Sequence, residues 1–121
     1  MVTICFYQDT RHEKALYWIR DTLAIGYISR RNDGMTELRI NGYRQVKDIL
    51  VLLLPHVRFK KAQARALFLA CELLCKETIR TLNRKTLKKL VECMLIMQHE
   101  NYVARRKKTK KEFYKIFGLT P

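Results

Sequence analysis

The chain has 121 residues, enough for one compact domain with one core, and 48% of them are hydrophobic. No stretch of about 18 apolar residues exists to span a bilayer. The opening "MVTICFYQDT" lacks the basic and small-residue marks of a signal peptide, so a soluble, non-secreted protein is expected. The net charge is +14, a field that attracts polyanions, of which nucleic acid is the commonest.

The charge is unevenly placed. Residues 1–57 carry 8 Lys and Arg against 6 Asp and Glu, a balance of +2, whereas residues 58–121 carry 17 against 5, a balance of +12. No basic amphipathic helix with an aromatic apolar face stands out, which disfavours a membrane surface as the partner.

In chain order, Val2–Gln8 is β-branched and aromatic and predicts a strand. Its alternation sets Val2, Ile4 and Phe6 on one face and Thr3, Cys5 and Tyr7 on the other. Asp9 or Thr10 can cap a helix running to about Thr22, with Leu16, Ile19 and Leu23 as its stripe and an end near Gly26. Tyr27–Arg31 is a short strand, "RNDG" (Arg31–Gly34) a hairpin turn, and Met35–Asn41 the returning strand. Thr36, Leu38 and Ile40 alternate there with the polar set Glu37, Arg39 and Asn41.

A helix over Tyr43–Leu54 buries Val46, Ile49, Leu50 and Leu53, and Pro55 stops it. Lys60–Lys76 forms the next helix. Asn83 or Thr81 opens another through about Glu100, with Leu87, Leu90, Val91 and Met94 inward. "ARRKKTKK" reads as a basic loop, and Thr109 caps a last short helix closed by Gly118. Cys71 and Cys75 lie one helical turn apart on an apolar face, and with Cys5 and Cys93 they read as apolar thiols rather than a zinc site. His12, His56 and His99 fall in unrelated segments. No repeat, linker or second domain is visible, so residues 1–121 are taken as one α+β domain, an antiparallel sheet with helices on one face and a basic C-terminal helical segment over 101–121.

Four stretches resemble a known pattern when taken in order: "FYQDT" (Phe6–Thr10), "ALYWIRDTLAIGYI" (Ala15–Ile28), "LLPHVRFKKAQA" (Leu53–Ala64) and "HENYVARRKKT" (His99–Thr109). Together they resemble the LAGLIDADG homing endonucleases of the small single-motif kind, over about Val2–Gly118. That family folds as αββαββα with added C-terminal helices and sets a saddle-shaped sheet in the DNA major groove. "LAIGYISRRNDG" (Leu23–Gly34) imitates the signature but aligns with a helix-to-strand junction. Where the signature needs a metal-binding acid this chain has Ser29, Arg30 and Arg31. The resemblance therefore implies that the signature helix and first strand precede residue 1, and that their loss exposes Val2, Ile4 and Phe6.

The same resemblance implies roles for particular residues. Gln8 matches the position that orients the attacking water, and Lys60, beside Lys61, the position that stabilises charge on the scissile phosphate. The cofactor implied is Mg²⁺, without a complete site in this chain. The polar face of Thr3, Cys5, Tyr7, Ser29, Arg31, Glu37, Arg39 and Asn41 follows from alternation. A β-ribbon with that face fits the major groove, where Arg bonds guanine and Asn adenine. Arg105, Arg106, Lys107, Lys108, Lys110 and Lys111 are expected to hold phosphates without reading sequence. The implied partners are double-stranded DNA and either a second copy or another chain supplying the acidic helix, in an intracellular setting such as a chloroplast or mitochondrion. The alternatives are a non-catalytic nucleic-acid-binding protein and an RNA-splicing maturase of the same fold. A plain RNA-binding domain needs aromatic stacking positions on the sheet, for which Tyr7 alone is counted.

Overall fold

The computed structural model describes residues 2–99 and 106–120. Their contacts divide into two compact units, Met1–Ile49 and Leu50–Pro121, each described in its own right below.

The first unit is built on a three-stranded antiparallel sheet of β1 (Thr3–Asp9), β2 (Tyr27–Arg30) and β3 (Met35–Asn41), in the order β1-β3-β2. The central strand is the last to form in sequence, and its β-branched and aliphatic residues suit a strand paired on both edges. Register sets Ile4 opposite Ile40, Phe6 opposite Leu38, and Ile28 opposite Leu38. Leu38 and Ile40 are wholly buried, and each such side chain contributes roughly 1.5–3 kcal/mol. Their edge-strand partners Ile4 and Phe6, like Val2, are only half-buried.

Helix α1 (Lys14–Leu23) packs on this apolar side and buries Leu16. It starts later than the sequence predicts. The Asp9 carboxylate does cap, accepting from Arg11 N–H at 2.9 Å, but what it caps is a 3-10 turn over Thr10–His12. The helix ends at Leu23, within a residue of the expected Thr22, where Ala24 turns left-handed at φ 54°. Gly26 follows at φ 96°, pressed so closely on the sheet that an added Cβ would lie 2.8 Å from Leu38 Cδ1 and 2.9 Å from the Arg39 carbonyl oxygen. The hairpin between β2 and β3 closes over Asn32–Gly34. Arg31 N–H bonds the Met35 carbonyl at 2.8 Å, and the positive φ that the turn demands falls on Gly34. Helix α2 (Tyr43–Leu53) buries Val46, Ile49 and Leu50, with Leu53 half-buried, and a 3-10 turn containing Pro55 follows it.

The second unit is helical. Helices α3 (Lys61–Lys76) and α4 (Arg84–His99) pack together, and α5 (Lys110–Ile116) packs on α4. Their core holds Ala66, Ala70, Leu87, Leu90, Val91, Cys93, Phe113 and Tyr114, with Met94 half-buried at its edge. The caps follow the chemistry expected of them. Asn83 Oδ1 accepts from Thr86 N–H at 2.8 Å, and Thr109 forms a reciprocal capping box with Glu112. Lys60 differs from expectation: it does not begin α3 but precedes it in a left-handed conformation, φ 58°. The four cysteines form no disulfide. Cys71 and Cys93 are buried, and burial pushes the Cys93 thiol above its usual range.

Candidate nucleic-acid interface

Strand register assembles the polar face row by row. Thr3 lies opposite Asn41; Cys5, Arg39 and Tyr27 form the next row; Tyr7, Glu37 and Ser29 form the one after. Arg31, just past β2, continues the alternation and reaches back to Glu37. Every residue that alternation assigned to this face is on it.

Tyr27 is the residue sequence reasoning missed. It is two positions before Ser29 on the same strand, so the period of two already placed it there. Tyr7 is 53% exposed and Tyr27 48% exposed, so this face presents two aromatic rings, where one had been counted.

The polar groups are linked across the strands. Thr3 Oγ1 donates to Asn41 Oδ1 at 2.7 Å, and Asn41 Nδ2 donates to Tyr27 Oη at 3.4 Å. Arg39 Nε lies 2.7 Å from Glu37 Oε1, and the Cys5 thiol donates to Glu37 Oε2 at 3.7 Å. Arg31 Nη2 pairs with Asp33 at 2.9 Å, and its guanidinium carbon lies 5.8 Å from the Tyr7 ring centroid. The Tyr7 phenol is raised above its usual range, first by its bond with Cys5, with burial and the Glu37 charge adding and Arg31 opposing. Arg39 is held still more firmly in its charged form, chiefly by the Tyr27 phenol and then by Glu37.

The opposite side of the sheet carries Gln8. It is exposed and lies opposite Thr36, in one row with Arg30. Beside that row Glu13 accepts from Arg30 Nε and from Thr36 Oγ1, both at 2.9 Å, and is closed by a second contact with Arg30 Nη2. The Arg30 bond, then the Thr36 bond, hold the Glu13 carboxyl below its ordinary range. Asp9 is engaged in the same way, lowered to about 2 by Arg11. The acids nearest Gln8 are thus taken up by arginines. Among the described residues no group of three His, Cys, Asp or Glu side chains could hold a metal ion. The described carboxylates beside Gln8 do not fit a magnesium site.

In the second unit Lys60 is exposed, as is Lys61. Arg106, Lys107, Lys108, Lys110 and Lys111 are all exposed, and Arg105 lies outside the described residues. Gln98 fixes the start of this run by bonding the Lys108 N–H and carbonyl, each at 3.0 Å. Lys110 and Lys88 flank the Tyr114 ring at 5.5 and 5.7 Å. Lys110, Lys111 and Lys115 line a cavity of about 600 Å³ with Tyr114 and Leu119. Such a surface can neutralise phosphates without discriminating among bases.

Comparison with known proteins follows the same direction. No family model matches the chain. The DNA endonuclease I-CvuI of Chlorella vulgaris is 34% identical over 64 residues, 53% of this chain and 40% of that protein. The chain thus matches well under half of that curated relative's length. The crystal structure of I-CvuI with I-CreI target DNA superposes with a TM-score of 0.69 at 26% identity, covering 99% of this chain and 76% of that one. The DNA complex of the archaeal intron-encoded endonuclease I-Vdi141I gives a TM-score of 0.79 at 17% identity, covering 96% and 74%, a likeness of fold. The antiparallel sheet, its helices and these relatives agree: the chain has the fold of the LAGLIDADG homing endonucleases and resembles I-CvuI in sequence over about half of its own length.

Proposed function

We propose that this chain binds double-stranded DNA by laying the polar face of its sheet in the major groove. The observation that carries the reading is the register, which puts Arg39 and Asn41 on one face with Thr3, Cys5, Tyr7, Ser29 and Glu37, a face that Arg31 joins through its contact with Glu37. Relatives of this fold are DNA endonucleases with DNA-bound structures. Lys107, Lys108, Lys110 and Lys111, with Arg105 and Arg106, supply the phosphate contacts.

Phosphodiester hydrolysis belongs to the same reading in a restricted form. Gln8 would orient water and Lys60 would stabilise phosphate charge. Carboxylates from outside these residues would hold the divalent metal, since Asp9 and Glu13 are engaged by arginines. A second copy or a distinct acidic partner would complete the site.

The test is fluorescence anisotropy with duplex DNA and single-stranded RNA of matched sequence over a range of salt. Tighter binding to duplex, weakening steeply with salt, supports the proposal. Preference for the RNA would instead support the second reading, an RNA-binding or maturase-like role. One observation favours that reading: Tyr7 and Tyr27 offer two stacking rings on one sheet face.

A further inference from the structure

Glu37 occupies the middle of the polar face, yet only 5% of it is exposed. Its oxygens are engaged by Arg39 Nε at 2.7 Å and the Cys5 thiol at 3.7 Å, with Arg31 Nη1 at 3.9 Å. A carboxylate that reads cytosine must offer a lone pair to the N4 amine. Here Glu37 is turned toward its neighbours, and a buried charge of this kind is stable only while it stays paired.

Arg39 is the complement. It is exposed, and Glu37 grips it at Nε, the guanidinium nitrogen nearest the stem. Its register partner Tyr27 flanks it from β2, and Cys5 from β1. An arginine gripped there loses little rotamer freedom on binding, and its planar fork suits the two acceptors of guanine. Arg31 is restrained in turn by Asp33 and the Tyr7 ring.

We infer that Glu37 is a positioning residue: together with Tyr27 it aims Arg39 at the major-groove edge of a guanine, and its own carboxylate reads no base. The inference rests on the DNA-binding reading above. Loss of Glu37 frees two arginines to seek phosphates, so affinity for arbitrary duplex holds or rises while discrimination falls.

The experiment selects bound sequences from a pool of randomised short duplexes, using the wild-type chain, Glu37→Gln, Arg39→Lys and Tyr27→Phe. Alongside, NMR follows hydrogen exchange of the Arg39 Nε–H in the free protein. Wild type is expected to enrich a guanine that Arg39→Lys loses by roughly fivefold or more, the discrimination of one bidentate pair. Glu37→Gln should lose the same guanine and bind random duplex no more weakly. Tyr27→Phe, which removes one oxygen, should weaken the preference in part and serves if Glu37→Gln fails to fold. If Glu37→Gln keeps that guanine and relaxes a cytosine elsewhere, Glu37 is a base reader and the inference is overturned. A Tyr27→Phe profile identical to wild type also counts against it. If the wild type binds no duplex, the functional reading fails. The exchange measurement still decides the clamp: protection in wild type and its loss in Glu37→Gln support it, and equal exchange overturns it.

Discussion

Arg30 and Arg31 are adjacent in the chain and serve opposite sides of the sheet. Arg30 shares the row of Thr36 and is locked to Glu13 at the start of α1, whereas Arg31 pairs with Asp33 and Glu37 and covers the Tyr7 ring. One is a brace and the other a candidate DNA contact, a division that follows from the pleat alone. Arg31→Ala should weaken duplex binding and reduce its salt slope while leaving the unfolding midpoint nearly unchanged. Arg30→Ala should do the reverse, since it leaves Glu13 without its main partner. Anisotropy titrations and urea unfolding of both variants check this. Equal loss of binding in the two would show that the faces are not functionally distinct.

Acid should unfold the first unit through its paired carboxylates. Asp9 is lowered to about 2 by Arg11, and Glu13 is lowered by Arg30 and Thr36. A carboxyl depressed in the folded state binds fewer protons folded than unfolded. It therefore contributes stability above its unfolded value, and that contribution is lost as pH falls through the folded value. The loss should begin near pH 4 and continue toward about 2 for Asp9. Thermal unfolding of wild type and Glu13→Gln from pH 5 downward measures it. The variant should be less stable at pH 5 and should show a flatter acid slope. Parallel slopes would remove Glu13 from the account.

Gly26 should tolerate no side chain. Its φ of 96° disfavours any L residue, and a Cβ would meet Leu38 Cδ1 and the Arg39 carbonyl oxygen at 2.8 and 2.9 Å. The second contact is with backbone, which cannot rotate aside. Gly26→Ala should cost roughly 2–4 kcal/mol, the sum of the left-handed penalty and modest overpacking. Urea unfolding measures it, and a loss below about 0.5 kcal/mol, ordinary for a surface change, would show that the loop gives way.

Much of this was legible in the sequence, for identifiable reasons. Alternation over Thr3–Tyr7 and Glu37–Asn41 fixes side-chain facing once the strands are recognised, and the "NDG" turn sets the hairpin that pairs β2 with β3. Asn83 and Thr109 are strong caps, and both helices begin at them. What failed to show was tertiary. Asp9 looks like a helix cap, but a 3-10 turn intervenes because Thr10 N–H is drawn to the Gly34 carbonyl at 2.9 Å. Lys60 looks like a helix start, and nothing in its composition signals φ 58°. Glu37 and Arg39 are two apart on one face of β3, so their pairing follows from alternation, whereas the contacts of Arg31 with Glu37 and of Arg30 with Glu13 could not be read from spacing, because each joins residues brought together by the fold.

The C-terminal lysines should act as phosphate anchors whose effect is measured by salt. Lys107, Lys108, Lys110 and Lys111 are exposed around a capped helix start, and the cap holds them in place through Thr109 and Glu112. Each phosphate contact removed should reduce the slope of log K against log salt by about 0.9, with sequence preference unchanged because phosphates carry no base information. Lys107→Ala combined with Lys111→Ala should therefore lower the slope by roughly twice that amount. Thr109→Ala leaves every charge in place and removes the cap. It should cost about 1 kcal/mol of stability and lower affinity without lowering the slope by the same measure. A slope unaffected by the double lysine change would place the phosphates elsewhere on the chain.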